Sequence, residues 1–166
     1  MRYKLNFSEF ITLILALLCS CQSSRIETPV SIGEKSRTGI KGEKQASEAI
    51  NEMHGVEVAA VENLIAEYGD DKKDLLYISL FDTDAKAREM LDLMIQKIAH
   101  SKDGVFYHVM PLREYDKNAF ITLGMGATNY VFISGQFLIW YQTYQSLGPN
   151  LPEELTHMYP VERMQL

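Results

Sequence analysis

Alternation of apolar and polar positions predicts several β-strands in the second half of the chain. Short segments rich in β-branched and aromatic residues recur there between turn residues, which is typical of strands. They cover residues 75–81, 106–110, 119–123, 130–134 and 137–143. Gly135 and Gln136 separate the last two, and a Gly-X pair at this position favours a type II′ hairpin.

One long helix is predicted over residues 84–100. Asp82 and Thr83 precede it and are suitable N-capping residues. Apolar residues recur behind them at helical spacing and form one face, made of Ala87, Leu91, Met94 and Ile98. Residues 47–53 and 152–158 suit short helical turns, and residues 56–68 fit either a helix or a strand, with a strand favoured over the second half.

This order of elements predicts an α+β domain. It contains one mostly antiparallel sheet of about five or six strands, packed on the main helix at residues 84–100. Side chains alternate between the two faces of a sheet, so each strand contributes to both.

The alternating positions divide into an aliphatic set and an aromatic set. The main helix is large enough to cover one face only, and we expect it to cover the aliphatic one. The aromatic set would then form a binding face for an envelope protein or an apolar ligand, with the residues Tyr77, His108, Phe120, Tyr130, Phe132 and Tyr141. The alternative is a sheet that closes as a half-barrel or is covered by the chain's own ends.

The first residues of the chain fit a secretory signal peptide. Arg2 and Lys4 form a positive start, and residues 10–18 are apolar except for Thr12. Nine residues fall short of the roughly 20 that a membrane-spanning helix needs. They match the apolar core of a signal peptide, which is about 7–15 residues long.

The end of this apolar run resembles the lipobox of bacterial lipoproteins. In that family a leucine lies three residues before the modified cysteine and a small residue lies just before it, and Leu18, Ser20 and Cys21 match this pattern. Cys19 departs from it mildly. The resemblance implies a signal peptide at residues 1–20, a diacylglyceryl thioether on Cys21 and attachment to a membrane through that lipid. Gln22, rather than aspartate, implies the outer membrane in preference to the inner one.

Residues 21–46 are predicted to be a lipidated N-terminus followed by a flexible tether. Glycine, serine and threonine are frequent in this stretch, and its few apolar residues show no sustained period. Residues 22–46 carry five basic and three acidic residues, a net charge of +2, whereas residues 47–166 carry nine basic and eighteen acidic residues, a net charge of −9. The change of sign marks the predicted start of a single domain at residue 47.

The charge and the chemistry of the mature chain restrict its function. The formal net charge of −6 for the full chain disfavours nucleic acid as a partner. No serine lies in a hydrolase frame, and no cofactor or metal site is predicted, so an enzyme is the less favoured class. Histidine lies beside methionine at His54, His108 and His157, a ligand combination that suits copper(I). The predicted function is therefore a lipid-anchored protein of the bacterial cell envelope, facing the periplasm, that binds or scaffolds. The alternative is handling of a small molecule or of copper.

Overall fold

A computed structural model describes residues 25–54, 58–101, 104–145 and 148–163. The predicted signal peptide and the predicted lipidation site Cys21 lie outside these residues. The described part of the chain contains eight strands, three α-helices and one 3₁₀ helix.

The strands follow the predicted pattern closely where they are central in the sheet. They are β1 Ser31–Ile32, β2 Lys35–Lys41, β3 Glu62–Tyr68, β4 Asp74–Leu80, β5 Phe106–Pro111, β6 Ala119–Gly124, β7 Ala127–Ser134 and β8 Phe137–Thr143. The helices are α1 Glu43–His54, α2 Asp84–His100 and α3 Glu153–Met158, and the 3₁₀ helix is Arg113–Asn118. The main helix has the predicted bounds, and the Thr83 side chain accepts a hydrogen bond from the backbone N–H of Lys86, so the predicted cap is confirmed.

The predicted fold class is wrong, because the protein is mainly β. All eight strands form one antiparallel, curled sheet in the order β1-β2-β3-β4-β8-β7-β6-β5, like half a barrel. The two strands beyond the predicted five or six are β1 and β2, which lie in the predicted tether. β2 is near the edge of the sheet and has no fully buried residue, so its sequence lacks the apolar alternation that marks the central strands.

The first face of the sheet, which we call the helix face, is covered by α1 and α2. Four strands contribute buried side chains to it, including Ile65, Val131, Leu138 and Trp140. The helices supply buried side chains against them, namely Ala46 and Ile50 from α1 and Ala87, Leu91 and Met94 from α2. This arrangement uses the apolar stripe that the periodicity of α2 predicted.

The second face, which we call the segment face, is covered by pieces of chain without a long helix. Its sheet residues include Leu76, Ile78, Tyr130, Phe132, Ile139 and Tyr141. The cover comes from the start of the described chain, from the region around the 3₁₀ helix and from the C-terminal segment, through Ile26, Ile32, Leu112, Tyr115, Leu151, Leu155 and Tyr159.

The predicted flexible tether is incorrect from Arg25 onward. Residues 25–32 cross the segment face as a strap in which Ile26 is 4% and Ile32 is 3% exposed. Two buried tyrosines fasten the strap: the Tyr68 hydroxyl donates to the carbonyl of Pro29 at 2.9 Å, and the Tyr159 hydroxyl donates to that of Glu27 at 2.6 Å. The folded unit therefore begins about twenty residues before the predicted boundary at residue 47.

The strap can be tested with two substitutions that lie close together in the chain. We expect Ile32→Ala to lower the free energy of unfolding by about 2–5 kcal/mol, because it leaves a cavity in the core. Val30 is 76% exposed, so Val30→Ala should change the stability by less than about 0.5 kcal/mol. Denaturant unfolding of both variants gives the comparison, and equal, small effects would show that the strap adds nothing to the core.

Candidate functional site

The six residues of the predicted binding face do not share a face. Tyr130, Phe132 and Tyr141 are at most 1% exposed and lie in the core beneath the segment face. Tyr77 and Phe120 are partly buried against the opposite, helix face. His108 is exposed on β5. These residues therefore do not form an open aromatic face. Segments of the same chain cover Tyr130, Phe132 and Tyr141, which were predicted to contact a partner.

The register of the strands explains why the aromatic set divides. Leu76 pairs with Tyr141, and Tyr77 pairs with Trp140. Directly opposite residues point to the same face, so the aliphatic positions of β4 share a face with the aromatic positions of β8. Each face is a mixture of both chemical types. Matching the five predicted strands by chemistry therefore assigns two of them, β7 and β8, to the wrong side relative to the other three.

His108 lies at an irregular point of the edge strand β5. The pairing of β5 with β6 shifts register between Tyr107 and Met110, and His108 has a φ of 56° within this bulge. The ring of His108 meets that of Tyr107 edge to face, with centroids 5.2 Å apart. Bulges of this kind interrupt the ladder and protect a sheet edge from pairing with another chain.

A buried carboxylate with four hydrogen-bond donors, that of Asp74, is the centre of a polar cluster in the described structure. No local sequence pattern distinguishes this residue. Its carboxylate is buried at the start of β4 and faces the Lys35 ammonium, with Nζ 2.7 Å from Oδ1. The hydroxyls of Tyr141 and Thr143 each donate to Oδ2 at 2.9 Å. The backbone N–H of Tyr144 donates to Oδ1 at 3.3 Å. The cluster joins three strands, β2, β4 and β8.

This set of donors saturates the Asp74 carboxylate. A carboxylate offers about four lone-pair positions, two on each oxygen, and each oxygen here receives two donors. Burial raises the pKa of Tyr141 well above its usual value near 10, and the negative charge of Asp74 raises it further. The Tyr141 hydroxyl therefore remains a donor, and the arrangement suits a structural clamp better than proton transfer to a substrate.

A second buried network fixes α1 to the sheet. Asn63 on β3 accepts a hydrogen bond from the Ser79 hydroxyl at 2.6 Å and donates to the Ser47 hydroxyl at 2.9 Å. Glu43, at the start of α1, accepts from the Ser47 hydroxyl and from the backbone N–H of Asn63. These bonds satisfy polar groups that the helix face would otherwise bury without partners.

A groove of about 770 Å³ lies beside the beginning of the strap. We call it the N-terminal groove. It lies between the strap, the end of β2 and the beginning of β3, and its lining combines charged with exposed apolar side chains, including Arg25, Glu27, Arg37, Ile40, Val61 and Glu62. The backbone N–H of Arg25 donates to Glu62 Oε2 at 3.0 Å across its end.

A smaller, more apolar pocket of about 140 Å³ opens between α2 and β5. The side chains of Met94, Ile98, Phe106 and Trp140 line it, and Lys97 also borders it. Trp140 is held at this site because its indole N–H donates to Asn129 Oδ1 at 2.9 Å and its ring meets that of Phe106 edge to face, 4.8 Å between centroids.

The structure places the histidines that neighbour methionine on different elements. His54 ends α1, His108 is on β5 and His157 is on α3. Within residues 25–54, 58–101, 104–145 and 148–163, no three side chains of His, Cys, Asp or Glu are grouped so as to hold a metal ion.

Comparison with known proteins adds no family assignment. Neither family models, curated proteins nor solved structures give a match to the chain. Among the helices in the described part of the chain, none is long and apolar enough to cross a bilayer.

The structural role of Asp74 predicts a large effect of removing its charge. We expect Asp74→Asn to lower the free energy of unfolding by about 3–5 kcal/mol, because it leaves the Lys35 ammonium beside a neutral amide in a buried site. Asp71→Asn is the matched control, since Asp71 is exposed in the preceding turn, and should change the stability by less than about 0.5 kcal/mol. Equal stabilities of the two variants in denaturant unfolding would show that the clamp is not structural.

Proposed function

We propose that this protein is a lipid-anchored component of the bacterial cell envelope, with a non-catalytic domain that binds or scaffolds. The observation that carries the proposal is the Leu18-Cys19-Ser20-Cys21 motif behind a short apolar run. The lipid on Cys21 would attach the domain to the outer membrane, on its periplasmic side.

The polar groups of the domain support a role other than catalysis. The buried carboxylate of Asp74 has both oxygens occupied by donors from its own sheet. The network around Asn63 likewise ends within the fold, on Glu43, Ser47 and Ser79. Groups engaged in this way hold strands and a helix in place, and a general acid or base needs a free position toward its substrate.

Lipidation is tested by changing each of the two cysteines separately. We expect Cys21→Ala to abolish labelling by radioactive palmitate and to leave the precursor uncleaved, because the thioether forms on that sulfur in the family that the motif resembles. Cys19→Ala is the matched control and should keep both labelling and cleavage. Density-gradient fractionation of the native protein should place it with the outer membrane. Palmitate labelling that survives Cys21→Ala would contradict the proposed anchor.

The pocket at Trp140 favours binding of a small apolar molecule as a second candidate function. Five of its eight lining residues are apolar, namely Met94, Ile98, Val105, Phe106 and Trp140, and a volume of about 140 Å³ suits a ligand of one ring. Small apolar cavities of this size do bind such molecules when polar partners for water are scarce.

Trp140 makes this second candidate measurable, because it is the only tryptophan in the chain. We expect benzene to change its fluorescence with a Kd on the order of 1 mM, as the small size of the ligand allows. Ile98→Phe should fill the pocket and abolish the change, whereas Leu93→Phe, on the exposed side of the same helix, should preserve it. If benzene still changes the fluorescence of Ile98→Phe as it does that of the native protein, this pocket is not the binding site.

A further inference from the structure

The position of Arg25 limits how far the domain can move from a lipid on Cys21. The fold holds the chain from this residue onward, because the backbone N–H of Arg25 bonds to Glu62 and Ile26 is 4% exposed. Three residues separate Cys21 from Arg25. Even a fully extended chain spans only about 14 Å over those four steps. The tether predicted from the sequence would have allowed roughly 27 Å on average, so the domain is held much closer to the bilayer.

The strand directions show which end of the sheet receives the anchor. Arg25 contacts Glu62, the first residue of β3, beside the end of β2. Two apolar side chains are exposed at this end and line the N-terminal groove together with Arg25: Ile40 is 52% and Val61 is 47% exposed. The other end of β3, at Tyr68, is about 20 Å away, six residues along the strand.

The charged side chains that line the N-terminal groove nearly balance. Arg25 and Arg37 lie there together with Glu27, Glu43 and Glu62. Lys41, at the end of β2, is 46% exposed and forms an ion pair with Glu67, with Nζ 3.2 Å from Oε1. Charge therefore does not select this end, and the orientation follows from the short connection to the anchor and from the exposed apolar pair.

We propose that the acylated domain docks on the lipid bilayer that holds its anchor through the end of the sheet that contains the N-terminal groove, with Ile40 and Val61 in contact with the bilayer. The proposal rests on lipidation of Cys21. A lipid anchor and a short linker give a local concentration in the millimolar range, so contacts too weak to bind a free domain suffice to orient a tethered one.

Two valines provide a matched test of this orientation. Val61 lies at the docking end, directly before β3. Val30 lies near the other end of the same strand, because its carbonyl accepts the N–H of Arg37, and Arg37 pairs with Tyr68, the last residue of β3. The experiment uses the full, acylated chain in vesicles of phosphatidylethanolamine and phosphatidylglycerol. Val61→Cys and Val30→Cys each introduce one free thiol, because the mature chain contains no cysteine besides Cys21. Both thiols receive a nitrobenzoxadiazole label.

We expect the label at Val61 to shift its emission to the blue and to lose most of its quenching by aqueous iodide when the protein is on vesicles. The label at Val30 should keep both its emission and its quenching. A Gly/Ser insertion of about twenty residues between Ser24 and Arg25 should restore quenching at Val61, because it allows about 25 Å of separation. Acylation and flotation with the vesicles should remain intact in that variant.

The readouts separate failure of the docking from failure of the anchor. Equal iodide quenching at Val61 and Val30 in acylated protein that floats with vesicles overturns the proposed orientation and leaves lipidation standing. Absence of acylation and flotation overturns the proposed function itself. Shielding of Val61 in isolated cell membranes but not in pure lipid vesicles also overturns the docking, because a protein would then cover this end.

Discussion

The sheet is apolar on both faces, and the rest of the structure follows from the need to cover both. Burial of apolar side chains is the main favourable contribution to folding, so neither face can be left in water. Two helices cover one face. The described chain has no other helix of comparable length, and the opposite face is closed by the strap, the region around the 3₁₀ helix and the C-terminal segment. Tyr68 and Tyr159, which hold the strap by their hydroxyls, are consequently buried in this closure.

The sequence pattern predicts the central elements well because they carry their own apolar signal. α2 has a capping residue, a continuous apolar stripe and the predicted bounds. β4 and β8 are bordered by buried neighbours, so their composition reflects their burial. β2 has no such signal. Its residues are exposed or partly exposed, and its pairing with β3 depends on backbone hydrogen bonds that any sequence without proline can form.

The candidate site is harder to predict because it depends on register across the sheet. Alternation within one strand divides its residues into two sets that point to opposite faces of the sheet. It does not show which set shares a face with which set of a neighbouring strand. The main helix intervenes between β4 and β5, and β4 pairs with the distant β8. The Asp74 clamp depends on that pairing, since its donors Tyr141 and Thr143 are about seventy residues away in the sequence. An aspartate that follows two others in a polar turn has no local feature that distinguishes it as buried.

If the proposed lipid on Cys21 is present, the strap couples attachment to the membrane with stability of the core. The residues that lead away from Cys21 are followed directly by Ile26 and Ile32, which are part of the core beneath the segment face. If the tether were separate from the fold, its length or sequence could change without an effect on the stability of the domain. Here the strap begins at Arg25, four positions from the proposed lipid, so lengthening the connection by unfolding the strap would expose buried isoleucines and release the hydroxyls of two buried tyrosines. The cost of that exposure keeps the connection short, and in the proposed lipid-anchored protein a short connection would give the domain a defined orientation at the bilayer.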